Sequence, residues 1–336
     1  MAASESRSAS PRRARARAES GTVRIATRSS ELALRQARLV QAALTARGVA
    51  SELKTYRTVG DKKLDEPLNQ IGAKGLFTKE LEDDLLKGKV DCCVHSLKDL
   101  PTDSPAGLEV VARLEREDPR DVVVFGGMIG GASLDDLPRG SRVGTSSLRR
   151  RAQLLALRPD IDVVELRGNV PTRLRKVDDG QVHAAILAAA GLHRLDVHQR
   201  IGAYLDAPRW LPAAGQGAIA VQARADDDEM RALLATLDHA PTAIATTAER
   251  AMLGAMQGGC QVPIGALAIE HDGAWTLHGL IADAAGLQVL RGEASVDPAD
   301  PAAGGRQLAL DLLNRGAWEI LGKLRTADRV PSPQPE

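Results

Sequence analysis

Hydroxyl residues and arginines cluster in the segment SRVGTSSLRRR, at the point where a short strand gives way to a helix. Three hydroxyl residues come directly before two arginines of the first helical turn, and these are Thr145, Ser146, Ser147, Arg149 and Arg150. Hydroxyl groups and free backbone N–H groups at a helix start bind anions, and arginine adds paired donors that suit a carboxylate or a phosphate. The pattern therefore indicates an anion site. Ordinary capping by serine beside solvated arginines is the alternative.

Two further strand-to-helix junctions repeat this pattern. In RIATRSS, Arg28 and Ser30 precede a helix. In ELRGNVPTRLRK, Arg167 ends a strand and Arg173 falls in the following helix. Three junctions that each combine arginine with a helix start favour a ligand with several anionic groups. The sequence contains no phosphate loop of the Walker type.

Two other segments hold side chains suited to acid–base or covalent chemistry. HSLKDLP places Lys98 beside Asp99 at the end of a strand, and GGCQVPIG places Cys260 in a glycine-rich loop after a helix. An accessible loop thiol is sterically suited to covalent attachment. On spacing alone, however, HSLKDLP is typical of a surface turn and Cys260 of an unreactive thiol, because no local signature places a histidine beside it. His95 is interpreted as structural.

The charge of the chain limits the classes of partner. The 336 residues include 44 basic and 44 acidic side chains, so the chain as a whole offers no electrostatic case for binding nucleic acid. The balance is uneven, because residues 139–176 contain nine arginines and one lysine against three acidic residues. A basic cluster within a neutral chain favours a small anionic ligand over a polymer, with a solvated surface as the alternative.

The apolar runs and the cysteines indicate the compartment. The longest apolar run, at residues 184–192, is far shorter than the ~20 residues that a membrane span needs, and no secretory signal is recognisable. The adjacent Cys92 and Cys93 lie in an apolar strand, and the third cysteine offers no CxxC spacing for a metal or a redox pair. We therefore expect a protein of the reducing cytoplasm with no membrane or metal partner.

Strand-like and helix-like segments alternate along residues 22–191 and must position these side chains. VRIA, VDCCVHS, DVVVF, SRVG, VVEL and AAILAAAG are predicted strands, and apolar residues at helical spacing lie between several of them. This alternation predicts two α/β lobes with mostly parallel sheets and helices on both faces. The chain is expected to cross between the lobes at residues 115–121 and to return at residues 211–224, with ligands bound in the crevice between them.

The pattern changes near residue 240. A helix predicted at 242–256 is followed by three strands, ALAIE, AWTLHGLIA and LQVLRGEASV, and by a final helix over 306–324. These elements predict a small α+β domain with an antiparallel sheet. The expected division is a disordered basic tail at 1–20, a first lobe at 21–116 and 217–237, a second lobe at 117–216, a third domain at 238–328 and a frayed tail at 329–336.

Ten motifs, taken in order, make the chain similar to a known family: VRIATRSSELAL, GAKGLFTKELE, VHSLKDLP, EREDPRD, VGTSSLRRR, LRGNVPTRL, AAGLHRL, LPAAGQGA, TAERAM and GGCQVPIG. The chain closely resembles the hydroxymethylbilane synthases, also called porphobilinogen deaminases, over roughly residues 22–325. Ten motifs in register make a chance similarity implausible. The resemblance implies two lobes like those of a periplasmic binding protein and a third domain that carries the cysteine loop.

The resemblance also implies a reaction and a cofactor. A transferase of this family joins four porphobilinogen units, releases ammonia at each step, and hydrolyses the product to linear hydroxymethylbilane for heme and other tetrapyrroles. The units are added to a dipyrromethane cofactor, which the motif GGCQVPIG places on Cys260 through a thioether. The implied protein is a monomer whose partner is the small-molecule substrate porphobilinogen, with no nucleic acid, membrane or metal.

The resemblance finally assigns residues to roles. Asp99 matches the catalytic carboxylate and Lys98 a neighbouring residue on the substrate side. Loss of ammonia leaves an electron-poor azafulvene, and a carboxylate near the pyrrole nitrogens stabilises its positive charge and helps to move protons. Each pyrrole brings an acetate and a propionate, so a dipyrromethane is a polyanion. The residues implied to bind these groups are Arg28, Ser30, Ser147, Arg149, Arg150, Arg167, Arg173 and Arg194, and Thr145 and Ser146 share the same helix start.

Two other classes of protein compete with this interpretation. A non-catalytic two-lobed binding protein for small polyanions would use the lobes and the arginines equally well, but it needs neither Asp99 nor Cys260. A nucleic-acid-binding protein would use the basic residues of 1–20 and 139–176. The zero net charge and a total of seven aromatic residues weaken that alternative, because single-strand binders usually stack bases on aromatic rings.

Overall fold

The structure is a computed structural model that describes residues 21–58, 78–127, 129–256 and 262–327, with side chains described as far as Lys323 in the last range. The predictions for Cys260 and for the tails at 1–20 and 329–336 lie outside the described residues. The elements in chain order are β1 (Thr22–Arg28), α1 (Glu31–Thr45), β2 (Ala50–Tyr56), α2 (Lys79–Leu86), β3 (Cys92–Ser96), β4 (Leu108–Arg113), β5 (Asp121–Phe125), β6 (Arg142–Gly144), α3 (Leu148–Leu157), β7 (Asp162–Val164), α4 (Val170–Asp178), β8 (Ala184–Ala188), α5 (Ala189–Arg194), β9 (Ala203–Leu205), β10 (Ile219–Arg224), α6 (Asp228–Ala235), α7 (Ala240–Ala255), β11 (Ile264–His271), β12 (Ala274–Ala282), β13 (Val289–Val296), α8 (Pro301–Leu312) and α9 (Trp318–Ala327).

The first lobe is built on a five-stranded sheet in the order β2-β1-β3-β10-β4. β1 runs parallel to β2 and β3, whereas β10 runs antiparallel to β3 and β4. Apolar side chains on one face of the sheet, such as Ile25, Val94 and Val221, pack against Val40 and Leu44 of α1. Helix α1 begins at Ser30, whose hydroxyl accepts a hydrogen bond from the backbone N–H of Ala33.

The second lobe repeats this arrangement in the order β7-β6-β8-β5-β9, with two parallel and two antiparallel pairings. In each lobe the antiparallel strand is the one that arrives from the other lobe: β5 after residues 115–121 and β10 after the return segment. Four of the five strands in each sheet therefore run in the same direction, as predicted, and the crossing strand runs against its neighbours, which was not predicted. The two-lobed α/β class is confirmed.

The region after the lobes contains the antiparallel sheet β11-β12-β13. Met252 of α7 packs with Leu277 of β12 and Leu308 of α8 in its core, which confirms the small α+β region. The single final helix predicted at 306–324 is instead two helices, α8 and α9. They are separated at Gly316, whose φ of 104° lies in the left-handed region that glycine adopts most readily.

One buried ion pair joins the crossings to the third region. Arg116, in the first crossing, donates from Nη1 to Oε1 of Glu249 at 2.7 Å and from Nη2 to Oε2 at 3.0 Å. The Glu249 side chain is fully buried. It also accepts hydrogen bonds from the backbone N–H of Gly215, in the return crossing, and of Ala268, in β11. A carboxylate of α7 thereby fixes both crossings against the antiparallel sheet.

Candidate active site

Lys98 and Asp99 lie in a short 3-10 turn, Leu97–Asp99, that directly follows β3. Leu97 is fully buried and anchors the turn, whereas Lys98 and Asp99 are half-buried. The carboxyl end of a strand at the crevice between two lobes is where ligands bind in open α/β sheets. The fold therefore places these two half-buried side chains at the edge where the sequence predicted a ligand.

Arg250 of α7 holds this turn in place. Its guanidinium donates to the backbone carbonyl oxygens of Leu97, Leu100, Pro101 and Thr102. These contacts tie the segment around Asp99 to the third region of the protein. The role of Arg250 was not predicted from the sequence, although it lies in one of the ten motifs, TAERAM.

In the second lobe, the buried carboxylate of Asp121 binds both Arg149 and Arg150. Nη1 of Arg149 lies 2.7 Å from Oδ2, and Nη2 of Arg150 lies 2.8 Å from Oδ1. The two guanidinium groups also donate to the backbone carbonyl oxygens of Leu211 and Ile186 respectively. Burial opposes ionisation of Asp121, but the two neighbouring guanidinium groups hold its pKa well below the usual range. Asp121 was not among the predicted site residues.

Gln216 links this buried cluster to Lys98. Its amide nitrogen donates to Oδ1 of Asp121 and to the backbone carbonyl of Pro119, both at 2.8 Å. Its amide oxygen accepts a hydrogen bond from Nζ of Lys98 at 3.2 Å. The return crossing thus connects the turn of the first lobe to the arginine cluster of the second.

The pKa of Lys98 is lowered to about 8. Burial is the largest cause, and the positive charges of Arg150 and Arg149 lower it further, whereas Asp99 and Asp121 oppose the shift. The link through Gln216 places Lys98 within electrostatic range of the arginines of the second lobe. The structure therefore brings Lys98, Arg149 and Arg150 into one neighbourhood.

Arg173 of α4 is a second cation of the crevice whose pKa is lowered. Burial lowers its pKa to about 10, and Arg150 and Arg167 act in the same direction, whereas Asp99 opposes them. Its Nε donates to the backbone carbonyl of Gly168. Arg173 therefore lies within electrostatic range of Asp99 and of the two arginines. Arg150 is paired with Asp121, and Nε of Arg167 lies 3.8 Å from Oε1 of Glu165.

The hydroxyls at the start of α3 make local contacts. Oγ of Ser147 accepts a hydrogen bond from the backbone N–H of Arg150, and Oγ1 of Thr145 accepts one from that of Ser147. Oγ of Ser146 donates to the carbonyl of Leu166, which joins this helix start to the strand end before α4. These are the bonds of ordinary capping. Carboxylate binding by the three residues stays a prediction.

Arg194 contacts the crossings. Its Nη2 donates to the backbone carbonyl of Gly217 at 2.7 Å. Burial lowers its pKa to about 10, and the nearby Glu117 opposes the shift. The described contacts of Arg194 therefore hold the end of α5 against the return crossing. Its predicted contact with ligand carboxylates is not tested by them.

A pocket in the first lobe is lined in part by Asp99, the candidate catalytic residue. Its polar lining includes Arg28, Ser30, Gln36, His95, Ser96 and Asp99. The Gln36 amide and the Ser96 hydroxyl are hydrogen-bonded to each other at 2.8 Å. Two of the predicted anion-binding residues therefore share one cavity with Asp99.

The fold and the site define a two-lobed α/β protein with a cationic crevice, an acidic residue within it and a third region that braces both crossings. The family profile described as "Porphobilinogen deaminase, dipyromethane cofactor binding domain" matches residues 23–232. The profile described as "Porphobilinogen deaminase, C-terminal domain" matches residues 243–314. The chain belongs to the porphobilinogen deaminase family.

Curated relatives agree over nearly the whole chain. The chain is 50% identical over 307 residues to the porphobilinogen deaminase of Syntrophobacter fumaroxidans, which covers 91% of this chain and 98% of the relative. It is 51% identical over 305 residues to that of Moorella thermoacetica, which covers 90% of this chain and 96% of the relative.

Solved structures are similar to a smaller share of the chain. They include the periplasmic VFT2 domain of Bordetella pertussis BvgS, with a TM-score of 0.40 and 17% identity over 68% of this chain and 91% of that one. The methionine-binding protein MetQ has a TM-score of 0.42 and 17% identity over 65% of this chain and 89% of that one. In the part of the chain that the structure describes, none of the helices is both long and apolar enough to cross a membrane.

Proposed function

We propose that the crevice between the lobes carries out the hydroxymethylbilane synthase reaction. Four porphobilinogen units are joined, one ammonia is released at each addition, and water frees the linear hydroxymethylbilane of tetrapyrrole and heme biosynthesis. The observation that carries this proposal is the hydrogen-bonded link from the Lys98–Asp99 turn through Gln216 to the Asp121–Arg150 pair, with Arg173 within electrostatic range of Asp99. A non-catalytic binding protein for polyanions has no need of the carboxylate at that position.

The residues around the crevice fit a dipyrromethane. Lys98 and Arg173 both lie within electrostatic range of Arg150, and Arg173 is also within range of Arg167. This cluster of cations suits a group with four carboxylates. When bound, the dipyrromethane supplies the pyrrole carbon to which the first substrate unit is joined. We propose that Arg28, Arg167 and Arg173 bind its carboxylates and those of the growing product.

Asp99 is the proposed catalytic residue. Its half-buried side chain lines the pocket together with Arg28, one of the cationic groups proposed to bind the acidic side chains of the substrate. A negative charge there stabilises the positive charge that develops on the pyrrole as ammonia leaves, and it accepts a proton from the pyrrole nitrogen. Lys98 orients a substrate carboxylate beside it while its ammonium stays bound to Gln216.

Arg149 and Arg150 have a structural role, in the ion pair with Asp121, in addition to their proposed role in binding ligand carboxylates. Both bind Asp121, and the electrostatic effect of Arg150 reaches Lys98 and Arg173. An arginine has five N–H donors, so contact with Asp121 leaves donors for a ligand carboxylate. We propose that Asp121 fixes the two guanidinium groups while their remaining donors, with Ser147 at the helix start, face the ligand.

The intact mass of the purified protein tests the function. We expect an added mass equal to two porphobilinogen units less two ammonia molecules, and we expect Cys260→Ser to lack it. Cys92 and Cys93 are buried and serve as internal controls, since neither can hold the group without disrupting the first-lobe sheet. A parent protein that carries no added mass, and gains none with porphobilinogen, would contradict the proposal and favour a polyanion-binding protein.

Lys98 gives the proposed site a defined pH dependence. Because the pKa of Lys98 is lowered to about 8, its ammonium is present below that pH and is lost as the pH rises through it. We expect the KM for porphobilinogen to rise above this pH. Lys98→Arg keeps its charge, so its KM should rise less over the same range, and Lys98→Met should have a raised KM at every pH. Parallel pH profiles for the parent and Lys98→Arg would contradict a role for this ammonium.

The remaining predictions concern the whole chain. We propose that it acts as a cytoplasmic monomer, in keeping with the buried free thiols of Cys92 and Cys93. We also propose the domain boundaries given above, since the three sheets draw their strands from those three sets of residues. Native mass spectrometry of the purified protein measures its oligomeric state directly.

A further inference from the structure

A chain of buried hydrogen bonds runs through the first lobe to the pocket beside Asp99. Oγ1 of Thr78 donates to Oε2 of Glu82 at 3.0 Å. The amide nitrogen of Gln222 donates to Oε1 of Glu82 at 3.2 Å. The amide oxygen of Gln222 lies 3.2 Å from Nε2 of His95. All four side chains are buried, so the chain connects the start of α2, through β10, to β3.

This chain fixes the protonation pattern of His95. A carboxylate accepts hydrogen bonds, so Glu82 requires that Gln222 turn its amide nitrogen toward it. Gln222 then presents its oxygen to His95, and Nε2 of the ring must donate. In a neutral imidazole the other nitrogen is an acceptor. Nδ1 of His95 therefore has an unshared electron pair.

The unshared pair of Nδ1 has access to the pocket. Among the described residues Nδ1 has no hydrogen-bond partner, and it is not among the fully enclosed side-chain atoms that lack one. The ring of His95 lines the pocket that also contains Asp99. An acceptor with access to a ligand pocket is suited to an N–H donor of the ligand.

We propose that Nδ1 of His95 accepts a hydrogen bond from an N–H group of porphobilinogen and orients the substrate against Asp99. The proposal rests on the proposed function and adds a substrate contact to it. Porphobilinogen has two such donors, the pyrrole N–H and the aminomethyl group. Thr78, Glu82 and Gln222 act as positioning residues, because they determine which ring nitrogen is unprotonated.

The electrostatics of the pocket agree with a neutral ring. Burial lowers the pKa of His95 to about 4, the bond to Gln222 opposes the shift, and the charge of Arg28 adds to it. The ring is thus an acceptor at neutral pH and too weak a base to remove a proton from the substrate. Its role is to orient the substrate, and the proton transfer stays with Asp99.

Steady-state kinetics of His95→Gln and His95→Asn test this contact. A glutamine places its amide near Nε2 and offers no acceptor at Nδ1, whereas an asparagine places a carbonyl oxygen near Nδ1. We expect His95→Gln to raise the KM for porphobilinogen roughly 3- to 10-fold, the size of one neutral hydrogen bond, with little change in kcat. His95→Asn should keep a KM nearer to that of the parent. The exposed His271 supplies the control variant His271→Gln.

A substrate analogue with methyl in place of aminomethyl identifies the donor when it is used as a competitive inhibitor. If His95→Gln weakens its inhibition as much as it raises KM, the pyrrole N–H is the donor. If inhibition is unchanged while KM rises, the aminomethyl group is the donor. Either result supports the proposal, and an unchanged KM together with unchanged inhibition overturns it.

The outcome for His95 is separable from that for the proposed function. A parent protein that forms no hydroxymethylbilane would contradict the proposed function. An active parent whose His95 variants keep the parental KM would contradict only the hydrogen bond from the substrate to His95. If the His95 variants do not fold, as judged by thermal unfolding, Gln222→Met removes the acceptor that fixes the ring proton and should raise KM in the same way. A parental KM in a folded Gln222→Met would count against the proposal.

Discussion

Asp99→Asn is expected to lower the kcat for hydroxymethylbilane formation by roughly 10²- to 10⁴-fold, the usual contribution of a positioned acid–base group. The carboxylate of Asp99 makes no hydrogen bond to the described residues, so the fold does not depend on its charge. Its described interactions are electrostatic and involve the cations that surround the crevice, Lys98 and Arg173. Asparagine keeps the shape of the side chain and removes the negative charge that stabilises the pyrrole cation formed as ammonia leaves.

Asp103→Asn is the matched control for this substitution. Asp103 is exposed, four residues further along the same segment, and its replacement should leave kcat and KM near the parental values. Asp99→Asn should unfold at the parental temperature and still reduce turnover in a steady-state assay with porphobilinogen. A folded Asp99→Asn protein with near-parental kcat would contradict the catalytic role.

The fold could be predicted from the sequence where local patterns decide the structure. The alternation of apolar strands and helical stripes was enough to predict both lobes, and the three strands predicted after residue 256 correspond to β11, β12 and β13. The direction of β5 and β10 could not be predicted in this way. Their direction depends on the route of the crossings, which bring the chain back across each sheet. An apolar strand has the same hydrophobic pattern whether it runs parallel or antiparallel to its neighbours.

The final helix shows a second case in which the local sequence pattern could not predict the structure. Apolar residues continue at helical spacing through 306–324, so the periodicity alone predicts one helix. Gly316 separates α8 from α9 with a positive φ, which lets Ala317 and Ile320 stay within the core. Glycine within a helical pattern indicates such a break only weakly, because it is also tolerated inside helices.

The site was predicted as residue types at strand ends, but the pairing of those residues was not. Arg149 and Arg150 follow a strand as the sequence indicated, yet Asp121 lies 28 residues before Arg149. The contact forms because β5 and α3 meet in the second lobe. The link between Lys98 and Gln216 spans 118 residues and depends on both crossings. Contacts over such separations are set by the tertiary fold and leave no local signal.

Asp121→Asn is expected to lower the free energy of unfolding by about 3–5 kcal/mol, the cost of breaking a buried ion pair by removing one partner. Five N–H donors point at this fully buried carboxylate, from Arg149, Arg150, Trp210 and Gln216. An asparagine offers one acceptor oxygen to them and turns an NH2 group toward the other donors. The two guanidinium groups would then be buried without a counter-charge.

The effect of Asp121 is expected to depend on pH. Its pKa is lowered in the fold, so its contribution to stability is present above the ordinary pKa of aspartate, ~4, and is lost as the pH falls further. Trp210 donates to Asp121 at 2.8 Å, so its fluorescence reports unfolding of this cluster. The parent should lose stability more steeply than Asp121→Asn as the pH falls below this value.

A surface aspartate supplies the control for Asp121→Asn. Asp206 pairs with Arg120 at 2.7 Å, but 67% of its side chain is exposed. Asp206→Asn should therefore cost no more than about 1 kcal/mol. If the two variants lose equal free energy of unfolding in chemical denaturation at neutral pH, Asp121 contributes no more to stability than an exposed aspartate does. The arginines would then be fixed by their carbonyl contacts alone, and their availability to ligand carboxylates would not depend on Asp121.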